Sequence, residues 1–417
     1  MLGEDRLPFK EQKYLNYLYM KTRTILNNYW QHLLIALFAI AVFCFWYLFY
    51  PHVVVGREMS QMFLWNSDYF MERIIIPGGL AQYLGEFLVQ FFLNPIVGVC
   101  IYTLLYVAIL LLAYRLWQQA FPRIRKIYLL MLSLIPVIIL WYLVCDLYVP
   151  MTSTVAVLLV LAVMAVLPTR QKPRLVCLII LTPVLYWLVG PATILLALCS
   201  LRWSWLIALL LGACILGSSW IAPYPLRQLA RGVDYYWEEK NIGDNGLLVY
   251  DYLLRQGKWD EIERESLRHP RQLVAIQQLV SLAQFYQQRL SQQELFWNLA
   301  QAHGVLKDEI TAFMMSDIYL QAGMVNMSQR SAFEAMEAIP NHNKSGRALK
   351  RLVETSLITK QYSLALKYIA LLEQTLLYRE WAEEKRALAE HPERIAQHPF
   401  YGRLQEVFAI TDEMFFY

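Results

Sequence analysis

The chain has 417 residues, 58% of them hydrophobic and only 17% charged. A soluble domain carries about 25% charged residues, so an ordinary water-soluble enzyme is excluded for the chain as a whole. Residues 1–225 hold eight of the 33 Asp and Glu and 15 of the 37 Lys and Arg, so two physical environments are joined in one chain. Basic residues cluster at the ends of apolar runs rather than on a soluble face, which argues against a nucleic-acid partner.

Residues 1–32 are predicted to be an amphipathic segment, with 12–30 lying as an interfacial helix. The first apolar run begins near Leu33, too late and without a small-residue cleavage site for a signal peptide. A bilayer core of roughly 30 Å needs about 20 apolar helical residues. Candidate spans are Leu33–Tyr50, Ile96–Tyr114, Ile127–Tyr148, Met151–Leu167, Leu175–Leu201 and Ser204–Ala222. They place a transmembrane bundle over residues 33–225. Lys and Arg precede the first span and fill the loops at 115–126 and 170–174, which predicts a cytoplasmic N-terminus. Parity turns on Gly190-Pro191. A single kinked helix over 175–201 gives six spans, the reading preferred here; a break there gives seven. The ten or so residues after the proline reach only about 15 Å as an α-helix, too short to cross alone.

Residues 51–95 form an external loop, with GLAQYLGEFLVQFF (79–92) expected as an interfacial or re-entrant helix. Asp68 and Glu72, four apart, share a helix face near Trp65, Tyr69 and Phe70. A carboxylate at the outer mouth of a bundle can serve as general base or hold a metal on a phosphate leaving group. Asp68, Glu72 and Glu86 are therefore the candidate catalytic residues. The plainer reading is a charged loop with aromatic interface anchors, and it carries more weight. Asp146, near a span end, is a comparable candidate.

After a linker at 226–240, residues 241–417 read as a soluble domain of amphipathic helices with short turns. Helices are predicted over 244–256, 259–267, 271–288, 291–302, 306–322, 326–338, 346–359, 362–376 and 379–390. Tyr319, Gly323, Ala335 and Pro340 occupy the spacings of a tetratricopeptide unit, and Tyr362 with Ala365 a weaker second one. The expected fold class is therefore all-α: a polytopic bundle followed by TPR-like helical hairpins. Such arrays bind protein partners and rarely carry chemistry. His391 and His398 read as turn residues. The six cysteines lie in or beside apolar stretches, and no zinc spacing, Gly-rich phosphate loop, GxSxG or HExxH occurs; no cofactor or metal is expected. The tail DEMFFY is expected to dock on the domain or the bilayer.

The stretches SDYFMERIIIPGGLAQYLGEFLVQFF (67–92), YDYLLRQGKWDEI (250–262) and SQRSAFEAMEAIPNHNKSGRALKRLVETSLITKQYSLALKYIALLEQTLLYREWA (328–382) resemble an uncharacterised family of bacterial multi-span membrane proteins. The resemblance implies the same two-part architecture in a bacterial inner membrane, without an assigned activity. A weaker, fold-level likeness is to the C-type membrane glycosyltransferases, which also follow a first span with an acidic external loop. It implies a lipid-linked sugar substrate, with Asp68 as base or metal ligand, and an external C-terminal domain. Two functions follow: a membrane protein whose helical domain binds a protein partner, in cell-envelope assembly, or a glycosyltransferase-like enzyme.

Overall fold

The computed structural model describes residues 30–199, 201–233, 246–271, 273–300, 308–339 and 344–410. The predicted N-terminal interfacial helix up to residue 29, residues 234–240 of the linker, Pro340 and the DEMFFY tail lie outside them. Every regular element among the described residues is helical. Among the described residues four helices are long and apolar enough to cross a membrane: α1 (Trp30–Phe49), α5 (Pro95–Ala120), α6 (Lys126–Val144) and the continuous run Gln171–Cys199. The last comprises α8 (Gln171–Val189) and a 3₁₀ helix, Gly190–Cys199. Shorter apolar helices are α7 (Met151–Val166) and α9 (Ser204–Ser218).

The ends of these helices meet in two groups. Pro51 closes α1 and opens α2 (Pro51–Met59), because proline fits the first helical turn but not a helix interior. α3 (Ser67–Ile74) and α4 (Gly79–Val89) follow. α5 begins against α2, with Gly98 held so near Val54 and Phe92 that a Cβ would lie 2.5 and 3.0 Å from them. α6 returns to the same end, where Arg57 of α2 donates to the carbonyls of Val144 and Asp146, both at 2.9 Å, and to that of Val149. α7 starts beneath α4: a Cβ on Gly85 would sit 2.8 Å from the Thr152 nitrogen. α8 ends where α4 begins, with Gly78 N–H donating to the Trp187 carbonyl at 2.9 Å. α4 thus lies across the helix ends, from α8 past α7 to α5.

The 3₁₀ helix then reverses direction. Arg174, near the start of α8, donates to the carbonyl of Cys199 at 3.2 Å. Ten residues therefore run back along most of α8. A 3₁₀ helix rises about 2.0 Å per residue, so ten cover about 20 Å rather than the 15 Å of an α-helix. α9 returns again, and Tyr186 OH meets Ser218 Oγ at 3.0 Å near the end of α8. α10 (Leu226–Arg231) packs there through Leu229.

The remaining helices are α11 (Gly246–Arg255), α12 (Trp259–Arg268), α13 (Val274–Tyr286), α14 (Gln292–Ala300), α15 (Glu309–Ala322), α16 (Val325–Ala338), α17 (Gly346–Ile358), α18 (Tyr362–Leu372), α19 (Arg379–Glu390) and α20 (Tyr401–Ile410). The first eight pair into four hairpins. Each turn holds one residue in the left-handed region: Gly257, Gln288, Gly323 and Lys360. In each, the next N–H donates five residues back: Lys258 to Leu253, Arg289 to Gln284, Met324 to Tyr319 and Gln361 to Ser356, at 2.8–3.0 Å. This is one C-cap used four times, satisfying carbonyls that a helix end leaves free. α20 folds back onto α17 and the Gly323 turn, where a Cβ would lie 3.2 Å from Val407.

Bundle and array share one apolar core, which runs from Val42 and Trp46 through α5–α8 to Leu248, Leu279, Phe313 and Ala348. Leu248 of α11 covers Gly56 of α2, where an added Cβ would lie 2.7 Å away. Met62 sits in the second core with Leu352 and Ile369.

Candidate functional site

The expected carboxylates separate into two environments. Asn66 caps α3 by accepting from Tyr69 N–H at 2.7 Å. This sets Asp68 and Glu72 on the outer face, both exposed, and turns Tyr69 and Arg73 inward toward α4. Asp68 meets Ser67 Oγ at 3.4 Å, and Glu72 lies 4.0 Å from Arg73. Glu86, by contrast, is only 3% exposed. Its carboxylate accepts from Tyr69 OH at 2.6 Å, Arg73 Nε at 2.9 Å and, one turn back on α4, Gln82 Nε2 at 3.1 Å. Arg73 also stacks over the Tyr69 ring at 4.4 Å. Burial and the Glu86 charge push the Tyr69 phenol up. Glu86 and Arg73 neutralise each other, so this cluster pins α3 to α4 and commits Arg73 to Glu86. Asp146 uses its carboxylate locally, accepting from Tyr148 N–H at 3.0 Å. His398 Nδ1 accepts from the N–H groups of Phe400 and Tyr401 at the start of α20, and His391 ends α19.

A second polar cluster, absent from the sequence reading, lies where α2 meets the array. Arg347 bridges Asp251 of α11, at 2.6 and 2.9 Å, to Asp317 of α15. Arg351, one turn along α17, also pairs with Asp317 and holds Glu354 at 3.0 Å. Burial would raise the Asp317 carboxyl, but the two guanidiniums outweigh it and hold it at about 2. Arg347 lies over the Phe313 ring and touches Met59 Sδ of α2 at 3.4 Å. Beside it, the buried Glu58 accepts from Tyr378 OH at 2.7 Å. Its other oxygen, Oε2, has no partner. Burial raises the Glu58 carboxyl, against the opposing pull of the Tyr378 hydrogen bond and of Arg255, Arg347 and Lys350. Further along, Gln374 accepts at its carbonyl from Trp65 N–H and at Oε1 from Asn66 Nδ2, both at 2.8 Å.

This seam is a structural junction: Arg347 and Arg351 are shared among Asp251, Asp317 and Glu354, and removing Arg347 would strand buried carboxylates. No local pattern marks it, because its members lie up to 320 residues apart in sequence. The hint within reach was amphipathic: Asp251, Asp317 and Arg347 each fall among apolar residues of their helices. Among the described residues no three of His, Cys, Asp and Glu gather closely enough to hold a metal ion.

Taken together, an all-α chain with several membrane-length apolar helices carries an array of helical hairpins fastened to one end of its bundle. The chain belongs to a family of unknown function (DUF6057), whose family model matches residues 27–416. No curated protein and no solved structure matches it.

Proposed function

We propose that this protein is a multi-span scaffold of a bacterial inner membrane that displays a TPR-like array to a protein partner in cell-envelope assembly. The observation that carries this reading is an exposed apolar residue at the same place in successive hairpins. Leu267 is 77% exposed, Trp297 68% and Phe333 41%. They stand on α12, α14 and α16, nine or ten residues beyond the left-handed residue of their turns. Large apolar side chains exposed on the second helix of three successive hairpins suit a protein partner, since such residues anchor interfaces. A photo-crosslinking residue at position 297 or 333 of the full chain in cells is expected to yield one discrete adduct. Adducts no different from those at exposed Lys258 would refute the partner reading.

The topology we infer has seven crossings, the 3₁₀ helix Gly190–Cys199 counting as one. Its support is the return of Cys199 to Arg174 and of Ser218 to Tyr186. An odd number puts the array on the face opposite the N-terminus. With the basic loops at 115–126 and 170–174 on the cytoplasmic side, the array faces outward. This reading replaces the preference for six spans, which rested on the reach of an α-helix. A C-terminal phosphatase fusion to the full chain should be active and a fluorescent-protein fusion dark; the reverse result would restore an even count. The transferase alternative draws less from the geometry, because Asp68 is exposed and Arg73 is committed to Glu86.

A further inference from the structure

We propose that the corner joining α9 to α10 docks the headgroups of anionic phospholipids, with Arg227 and Arg231 on the lipid phosphates and Trp220 at the edge of the hydrocarbon. The proposal rests on the reading above that α9 crosses the bilayer.

The corner is fixed from within. Ala222 N–H donates to the Ser218 carbonyl and Tyr224 N–H to that of Ala222, both at 2.8 Å. Ala222, Leu229 and Val233 are buried together, with Ile76 of α3 and Ile215 of α9 packed against them. Tyr186 OH of α8 meets Ser218 Oγ at 3.0 Å. What stays outside is of two kinds. Trp220 is 93% exposed, the most open large apolar side chain among the described residues, and Ile221 and Leu226 are exposed as well. Arg227 and Arg231 are also exposed. They stand four residues apart on α10 and share a face, whereas Leu229, two residues from each, lies on the opposite face in the core. Residues 147–233 contain no Asp or Glu, so the corner offers these two guanidiniums no carboxylate of its own.

An indole is favoured at a membrane–water interface, where its ring meets hydrocarbon and its N–H meets water. A guanidinium matches phosphate oxygens with paired N–H donors. In the topology proposed above these arginines lie on the outward face, where basic residues are ordinarily depleted, so their place calls for a counter-charge at that surface. A soluble anion would satisfy the arginines and leave Trp220 in water. A phospholipid of net negative charge answers both features at once.

The test is hydrogen exchange of the full chain in nanodiscs of phosphatidylcholine, with and without phosphatidylglycerol. Exchange over residues 219–231 should slow several-fold with phosphatidylglycerol, and the double variant Arg227→Gln, Arg231→Gln should lose that slowing while exchanging as the native chain does in phosphatidylcholine alone. Trp220→Ala should speed exchange there in both lipids. Equal exchange of the native chain in the two lipids would overturn the proposal, as would slowing that survives in the double variant, slowing by inorganic phosphate added to phosphatidylcholine discs, or a double variant already faster in phosphatidylcholine. Rapid exchange throughout α9 would sink the crossing itself and this proposal with it; a protected α9 beside an unresponsive corner would sink this proposal alone.

Discussion

The bundle and the array solve the same problem, burying helices, by opposite means. In the bundle, neighbouring helices are held by apolar contact and by backbone carbonyls, as where Arg57 caps α6. In the array, a buried ion network crosses from α11 to α15 to α17. In the proposed topology the bundle lies in lipid, which supplies no water to exclude, so contact and satisfied backbone would dominate there. In water, apolar faces collapse with little directional preference, and matched charges fix which helices pair. Specificity in the array therefore resides in a few long-range pairs that are costly to break.

The sharpest break of that contrast is Arg347→Ala. It strands Asp251 and Asp317 in the core, a loss of about 3–5 kcal/mol. The array should unfold at lower denaturant than the bundle, seen as hydrogen exchange lost in α11, α15 and α17 while α5 and α6 stay protected. Equal loss in both regions would show that they unfold as one. Acid probes the same pair. Asp317, held at about 2 against an ordinary 3.8, stabilises the fold above its unfolded value, and that contribution should disappear as pH falls from about 4 to 2.

Arg73→Ala comes next. It leaves Glu86 buried without its cation, and α3 should detach from α4 at a cost of about 2–3 kcal/mol, less than for Arg347 because Arg73 keeps some solvent contact. Proteolysis at residues 60–78 should report the release.

The seam offers a gentler probe. The Glu58 carboxyl is raised, so its contribution is complete below the ordinary glutamate range and is lost as pH rises through its folded value. Docking of α2 should therefore weaken with rising pH in the native chain and become pH-independent in Glu58→Gln, measured by exchange at Val53–Met59 corrected for intrinsic rates. The smallest effect is expected for Asp68→Asn, within about 0.5 kcal/mol, as for an exposed surface residue. A larger change would mean that Asp68 has a partner outside its own turn.

Local signals carried the helices well and their assembly poorly. Nine helices of the array fall within a few residues of their sequence-based limits, because apolar periodicity and turn residues are local. α20 was missed: the sequence-based helices stop at 390, and nothing was assigned between the His391–His398 turns and the DEMFFY tail. The fourfold turn was half hidden: Gly257 and Gly323 advertise a left-handed residue, whereas Gln288 and Lys360 adopt it without any such sign. The break at Gly190-Pro191 was visible in the sequence, whereas the 3₁₀ form of the ten residues after it was not, because the 3₁₀ rise cannot be seen in composition. Of the candidate site, the exposure of Asp68 and the burial of Glu86 depend on how α3 lies on α4, which no spacing along one helix encodes.

The span of 320 residues between Glu58 and Tyr378 also sets a schedule for biogenesis. At roughly 5–20 residues per second, a ribosome needs about 15–60 s after making α2 to deliver the last helices that cover it. For that interval Glu58 and Met59 lack the Tyr378 and Arg347 side chains that eventually cover them, which are still untranslated. Shortened versions ending before α17 would leave Glu58 and Met59 without those partners permanently.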